Sequence, residues 1–295
     1  MAITINGQQK RIGLPLSGGG FRAAAFHLGV FKKLKELELL DKIDLFSCLS
    51  GGSIAGGHLL TNWRTLTALE DLEEYLKTKS IAVSSFIGGI LDPFESRLDK
   101  LADSYDDHIF NNKRLKDLRK GPRIYFDAAN FATGNLFFFV AGGDRPEEMG
   151  DHKLGTIESP DYLISPAVAA SSAFPPVFPP LCLDPAIYPP AETLQYVTLT
   201  DGGVYDNMGV NPLLLDRYSL DYIIVSDGGK PFDIDEQPTE SGLQVLKASI
   251  SILMEQVRGL EFDRIKHRNK AGVGPLSKKN LNINNKKKEV NYGTP

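Results

Sequence analysis

A chain of 295 residues, 42% hydrophobic and 24% charged, holds enough apolar material for a sizeable core and is balanced like a globular protein, not a disordered or fibrous one. Its formal net charge of −4 gives no electrostatic case for a nucleic-acid duplex as partner. The longest apolar run, around Leu136 to Val140, is far short of the ~18 residues a spanning helix needs.

Residues 1–11 lack the apolar core of a signal peptide. Two cysteines, Cys48 and Cys182, are too few for a disulfide framework. The expected setting is therefore the cytoplasm, with any membrane contact peripheral.

In chain order, residues 12–16 predict a short strand running into glycines. Arg22 to Leu40 turns helical, with Val30, Phe31, Leu34 and Leu37 on one side and Lys32, Lys33 and Glu36 opposite. Ile43 to Leu49 predicts a second buried strand, followed by a helix from Ile54 to Trp63. This repeated strand–turn–helix order argues for an α/β fold with parallel strands. Charged helical segments follow at 66–79 and 93–120, with an apolar stretch, 81–91, between them. Arg123 to Asn130 and Leu136 to Val140 predict a hairpin across Ala132-Thr133-Gly134-Asn135. Residues 165–173 are mostly small and lead into the proline-rich 174–180. Val197 to Thr200 and Tyr222 to Ser226 predict further core strands, each running into an Asp-Gly pair. A long helix is expected over 242–270, with Leu246, Ile250, Leu253 and Val257 as its inner stripe. The domain is thus expected to span 1–272, leaving the Asn/Lys-rich 273–295 as a mobile tail or linker.

Three segments hold the residue types that serine acyl transfer needs. Ser53 lies in Gly51-Gly52-Ser53-Ile54-Ala55, just after the second strand. The segment fits a nucleophile elbow, a strained strand-to-helix turn with small neighbours, except that Ala55 replaces the last glycine of G-x-S-x-G. A serine there could equally cap a helix. Gly18, Gly19 and Gly20 form a glycine loop between strand and helix. Gly18-x-Gly20-x-x-Ala23 loosely matches a dinucleotide fingerprint, but the next strand ends Cys48-Leu49-Ser50, with no acid to hold a ribose. As an oxyanion hole, the loop would turn its N–H groups outward at a helix N-terminus, where the dipole favours negative charge. Arg22 would then meet a phosphate, or pair with a local carboxylate. Asp201 ends a strand and opens Asp201-Gly202-Gly203, which makes it the expected base; Asp227-Gly228-Gly229 is the competing turn.

Four segments, in order, resemble the patatin-like phospholipases and the related cytosolic phospholipase A family over about residues 12–227. They are Ser17-Gly18-Gly19-Gly20-Phe21-Arg22-Ala23, the Ser53 elbow, Ala169-Ala170-Ser171-Ser172-Ala173-Phe174-Pro175-Pro176, and Asp201-Gly202-Gly203-Val204-Tyr205-Asp206-Asn207. The resemblance implies a patatin-like three-layer α/β/α sandwich around a central, mostly parallel sheet. It also implies hydrolysis of the acyl esters of membrane glycerophospholipids by a Ser–Asp dyad, through an acyl-enzyme and without a histidine. By position, Ser53 is then the nucleophile and Asp201 the base. Gly18, Gly19 and Gly20 line the oxyanion hole, and Arg22 contacts the substrate phosphate. No cofactor is implied, and no Asp/Asn-rich loop of the EF-hand type points to a metal.

Two alternatives stand beside this reading. An α/β-hydrolase triad needs a histidine after the acid, which leaves only His267, within the basic Arg264-Ile265-Lys266-His267-Arg268. A nucleotide-gated lipase effector, of the kind found in bacterial anti-phage systems, implies a small-molecule nucleotide activator. The apolar 81–91 and 174–181 segments read either as a lid or acyl-chain channel or as ordinary core. The tail lysines at 278, 279 and 286–288 read as a contact for anionic lipid or as a solvated end.

Overall fold

The computed structural model describes residues 3–5, 7–78, 97–189, 194–215, 219–229 and 241–270. The apolar 81–91 segment, the tail lysines and the expected boundary at 272 lie outside the described residues.

Alternation of large apolar side chains along the strands sets the sheet. In β4 (Leu45–Cys48), β5 (Arg123–Asn130) and β6 (Asn135–Ala141), residues such as Phe46, Ile124, Phe126, Phe137 and Phe139 pack in one cluster, and Leu45, Tyr125, Phe138 and Val140 in another. A period of two sends these sets to opposite faces. Both faces are buried, as central strands of an α/β sheet require. β3 (Ile12–Leu16), β4 and β5 run parallel, and β11 (Tyr222–Ile223) continues the parallel set beyond β3. From β5 onward the sheet is antiparallel, through β6, β7 (Glu148–Asp151) and β8 (Gly155–Glu158). The expected hairpin forms, with Asn130 opposite Asn135. β9 (Leu181–Leu183) and β10 (Val197–Asp201) add a further antiparallel pair, β10 being bonded to β5. β1 (Ile3–Ile5) and β2 (Gln8–Lys10) make a separate ribbon.

Helices α1 (Gly20–Glu36), α2 (Gly51–Thr61), α3 (Ala68–Thr78), α4 (Arg97–Tyr105) and α5 (Ile164–Ser171) join the larger cluster on one face. α5 comes from the small-residue stretch. Ala167, Val168, Ala169, Ala170 and Ser171 are wholly buried, so α2, β5 and β10 can all close around it. On the other face lie the segment 208–215 and α6 (Gly242–Lys270), joined through Met208, Val210 and Ile265. The result is a three-layer α/β/α arrangement around a mixed sheet.

One expectation fails here. The bounds of α6 are as predicted, but Leu246 and Leu253 point to solvent. Its inward face is instead Met254, Arg258, Glu261 and Ile265, reached by rotating the expected stripe about a quarter turn around the helix axis.

Candidate active site

The strained turn between β4 and α2 centres on Ser50. Its φ of 50° and ψ of −120° lie outside the regions a β-carbon tolerates easily. That strain is the mark of a serine held out from the end of a strand. The neighbouring glycines are required by space. A β-carbon on Gly51 would lie 2.1 Å from the Gly20 carbonyl oxygen, and one on Gly52 would lie 2.3 Å from that of Leu16. Read around Ser50, the segment is Cys48-Leu49-Ser50-Gly51-Gly52: the closing glycine is present, and a buried cysteine takes the place of the opening one.

Asp201 meets this serine because of how the strands share β5. β6 occupies one edge of β5 from Ile124 to Asn130. Along the other edge, β4 pairs only with Arg123 to Phe126, then turns away at Ser50. β10 enters the vacated edge from the opposite direction and ends with Asp201 opposite Ala128. The serine and the carboxylate thus arrive end to end, with the Ser50 hydroxyl near enough to favour the charged form of Asp201. Asp201 Oδ1 accepts the N–H of Gly203 at 2.8 Å. Burial lifts the Asp201 carboxyl to about 6, against the Gly203 N–H and the Ser50 hydroxyl, which hold it down. A carboxylate titrating there is better suited to accept a hydroxyl proton near neutral pH than an ordinary aspartate.

Ser53 is elsewhere. It lies in the first turn of α2, fully buried, with its Oγ 2.8 Å from the Oγ of Ser171. Ser171 spends its only proton on the Asp127 carbonyl, at 2.6 Å, and accepts the Ser50 N–H at 3.0 Å. Ser53 must therefore be the donor in its pair. This chain of bonds braces the elbow from behind, and it corrects the expectation that Ser53 occupies the turn. The missed residue was readable: Ser50 follows the predicted strand directly and restores the glycine that Ser53 lacked.

The glycine loop abuts the elbow, as the Gly20–Gly51 approach shows. Gly19 and Gly20 adopt positive φ, 129° and 62°, which glycine alone takes without strain. Both are exposed, Gly18 is buried, and the N–H groups of Gly19 and Gly20 have no acceptor among the described residues. Arg22 is exposed and folds back over the loop, its Nη2 lying 3.3 Å from where a Gly19 β-carbon would sit.

Sequence reasoning gave no part to His27, which anchors this loop. Its Nε2 lies 2.9 Å from the Ser17 carbonyl, which can only accept, so Nδ1 takes the hydroxyl proton of Ser226 at 2.7 Å. Burial lowers the imidazole to about 4, against the raising effects of the Ser17 carbonyl and Asp227, and keeps it neutral. The Gly228 N–H donating to Ser17 Oγ at 2.8 Å completes the tie between the loop and the end of β11.

The competing residues have other partners. Asp227 accepts from Arg258 of α6 at 2.7 Å and from the Gly229 N–H at 3.0 Å. His267 is exposed on α6. Among the described residues, no group of three or more His, Cys, Asp or Glu side chains could hold a metal ion, and no helix is long and apolar enough to cross a membrane.

Comparison with solved structures finds human GIVD cytosolic phospholipase A2 at a TM-score of 0.50 and 14% identity, covering 72% of this chain and 45% of that one. VipD from Legionella pneumophila matches at a TM-score of 0.43 and 15% identity, covering 72% and 49%. The chain therefore spans about half the length of these two structures. No curated protein sequence matches it. The pattern of a known family matches residues 14–214, more than half of the chain and inclusive of the elbow, the glycine loop and Asp201. The chain belongs to the patatin-like phospholipases.

Proposed function

We propose that this protein hydrolyses fatty-acyl esters of membrane glycerophospholipids with a Ser50–Asp201 dyad. The observation that carries the reading is the strained turn that sets Ser50 at the end of β4, against the buried Asp201 at the end of β10. In the first step Ser50 Oγ attacks the ester carbonyl while its proton passes to Asp201. The N–H groups of Gly19 and Gly20 hold the resulting oxyanion, each such donor lowering the barrier by roughly 3 kcal/mol. Collapse expels the lysolipid alkoxide, which takes the proton from Asp201 and leaves an acyl-Ser50 ester. Water then attacks that ester, giving its proton to Asp201, and fatty acid departs as the proton returns to Ser50.

The position of Arg22 over Gly19 supports a phosphodiester as the group beside the scissile ester. A charged hydrogen bond of this kind is worth roughly 1.5–3 kcal/mol. Arg22→Ala is expected to slow phospholipid hydrolysis about ten- to a hundredfold and to spare p-nitrophenyl butyrate, which has no phosphate. Equal losses on both esters would reduce Arg22 to a scaffold for the loop. The dyad itself is tested with a fluorophosphonate probe. Wild type and Ser53→Ala should label and Ser50→Ala should not; labelling of Ser50→Ala would overturn the assignment.

A further inference from the structure

The stripe expected to face inward on α6, Leu246, Ile250, Leu253 and Val257, continues at either end through Leu243 and Leu260. The four leucines are 65, 49, 64 and 68% exposed in that order, Ile250 and Val257 are half-covered, and no described element covers the stripe. The spacing is three, four, three, four, three, a heptad seam and not the wider face a helix turns to a globular core. Around it, residues 242–247 are exposed on every side. Such a short free helical end is marginal in water by itself, and an aliphatic seam along it calls for a cover.

We propose that α6 pairs with α6 of a second copy of this chain, in parallel and in register, over Leu243 to Leu260. The residue types specify this occupant. Positions Leu243, Ile250 and Val257 are a, and Leu246, Leu253 and Leu260 are d. β-branched residues at a with leucine at d favour two parallel strands. The flanks agree, because the pairs across a parallel seam, Gly242 with Lys247, Ser249 with Met254 and Gln256 with Glu261 of the second copy, bring no like charges together. The seam ends where it should, since the next a and d residues are Arg264 and His267. By then Glu261 and Ile265 have docked the helix on its own domain.

A lipid surface fits less well. Residues 242–260 contain no aromatic side chain, and their only cations are Lys247 and Arg258, the latter bound to Asp227 and Glu255. Six aliphatic side chains offer on the order of 100 Å² each when covered. The seam alone thus falls short of the roughly 800 Å² per partner of a standard interface, and the pairing belongs in the micromolar range.

Light scattering on the full chain at increasing micromolar concentration should show the mass rising from one copy to two. Leu246→Asp with Leu253→Asp, both at exposed positions, should raise the dissociation constant at least about a hundredfold without lowering the thermal midpoint of the monomer. In a Cys182→Ser background, Leu246→Cys should cross-link to itself on mild oxidation, as only a parallel, in-register pair allows. Several results would overturn the proposal. One is a wild-type mass that stays at one copy. Another is a dimer whose Leu246→Cys does not cross-link. A third is a monomer that sediments with phosphatidylcholine vesicles and loses that binding in the double variant, which would make the seam a lipid face. A monomer destabilised by the double variant would mean that the chain covers its own seam.

Discussion

Three positions separate Ser50 from Ser53, yet the two hydroxyls face different chemistry. Ser50 faces a carboxylate that burial has made more basic, whereas Ser53 bonds to a serine already committed to a backbone carbonyl. Ser50→Ala should lower turnover by at least about a thousandfold with the fold intact. Ser53→Ala should cost about 1 kcal/mol of stability, the worth of one buried hydrogen bond, and leave turnover within about tenfold of wild type. Measuring kcat and the thermal midpoint of both separates these roles. Asp201 gives a pH dependence with a definite sign. The dyad needs the carboxylate, so kcat/KM should rise with pH and level off above about 6. Stability runs the other way: the folded value is raised, so stability is lost as pH climbs from about 4 through about 6. Asp201→Asn should therefore be inactive yet more heat-stable than wild type at pH 8; a less stable variant would show that the carboxylate holds the turn together.

At the scale of elements, the site is the place where β4, β10, α1 and α2 come within backbone contact. Gly51 is the tightest point, because any side chain there meets the Gly20 carbonyl. Gly51→Ala should push the glycine loop off the elbow and lower kcat at least about a hundredfold, with KM for a short ester little changed. A large rise in KM alone would place the damage in binding. The same crowding explains what could be read from the sequence. The glycine runs and Asp201-Gly202-Gly203 stood out because close backbone approach leaves few residues to choose from. β3, β4, β5 and β6 stood out as apolar runs bounded by turn residues. α5 was hidden because a helix buried all round has no polar face and hence no period. β7 and β8 were hidden too, being four residues each, with Glu148, Gly150 and Asp151 in the first and Gly155 and Glu158 in the second. The elbow was misplaced by three residues because glycine occupies 51, 52, 56 and 57, and spacing alone fits more than one serine. The place of Ser50 directly after the strand, with Gly52 closing the pattern, favours it, and its backbone angles decide.

At the scale of the whole molecule, α6 completes the third layer, and buried acid chemistry fastens it there. Its Glu261 is 3% exposed and accepts the Met208 N–H at 3.1 Å, while the fully buried Asp206 accepts the N–H groups of Met208, Gly209 and Asn211. The two carboxyl groups also bond to each other, which requires a proton between them. Burial, followed by the charge of Asp206, lifts Glu261 to about 10, with the Met208 and Asn207 N–H groups pulling it down. Arg264, three residues further along the helix, donates to the Asn211 side chain. The folded state therefore binds a proton that the unfolded chain releases near its ordinary value of 4.5, and stability must fall as pH rises between the two. Over pH 6.5–9, above the range where Asp201 titrates, the thermal midpoint of wild type should decline steadily. Glu261→Gln replaces the shared proton with an amide N–H that does not titrate, so its midpoint should decline less, and the gap between the two proteins should widen with pH. Differential scanning fluorimetry across that range measures it. Parallel curves would mean that the proton is not shared, and that α6 is held by Ile265 and the Arg258–Asp227 pair instead.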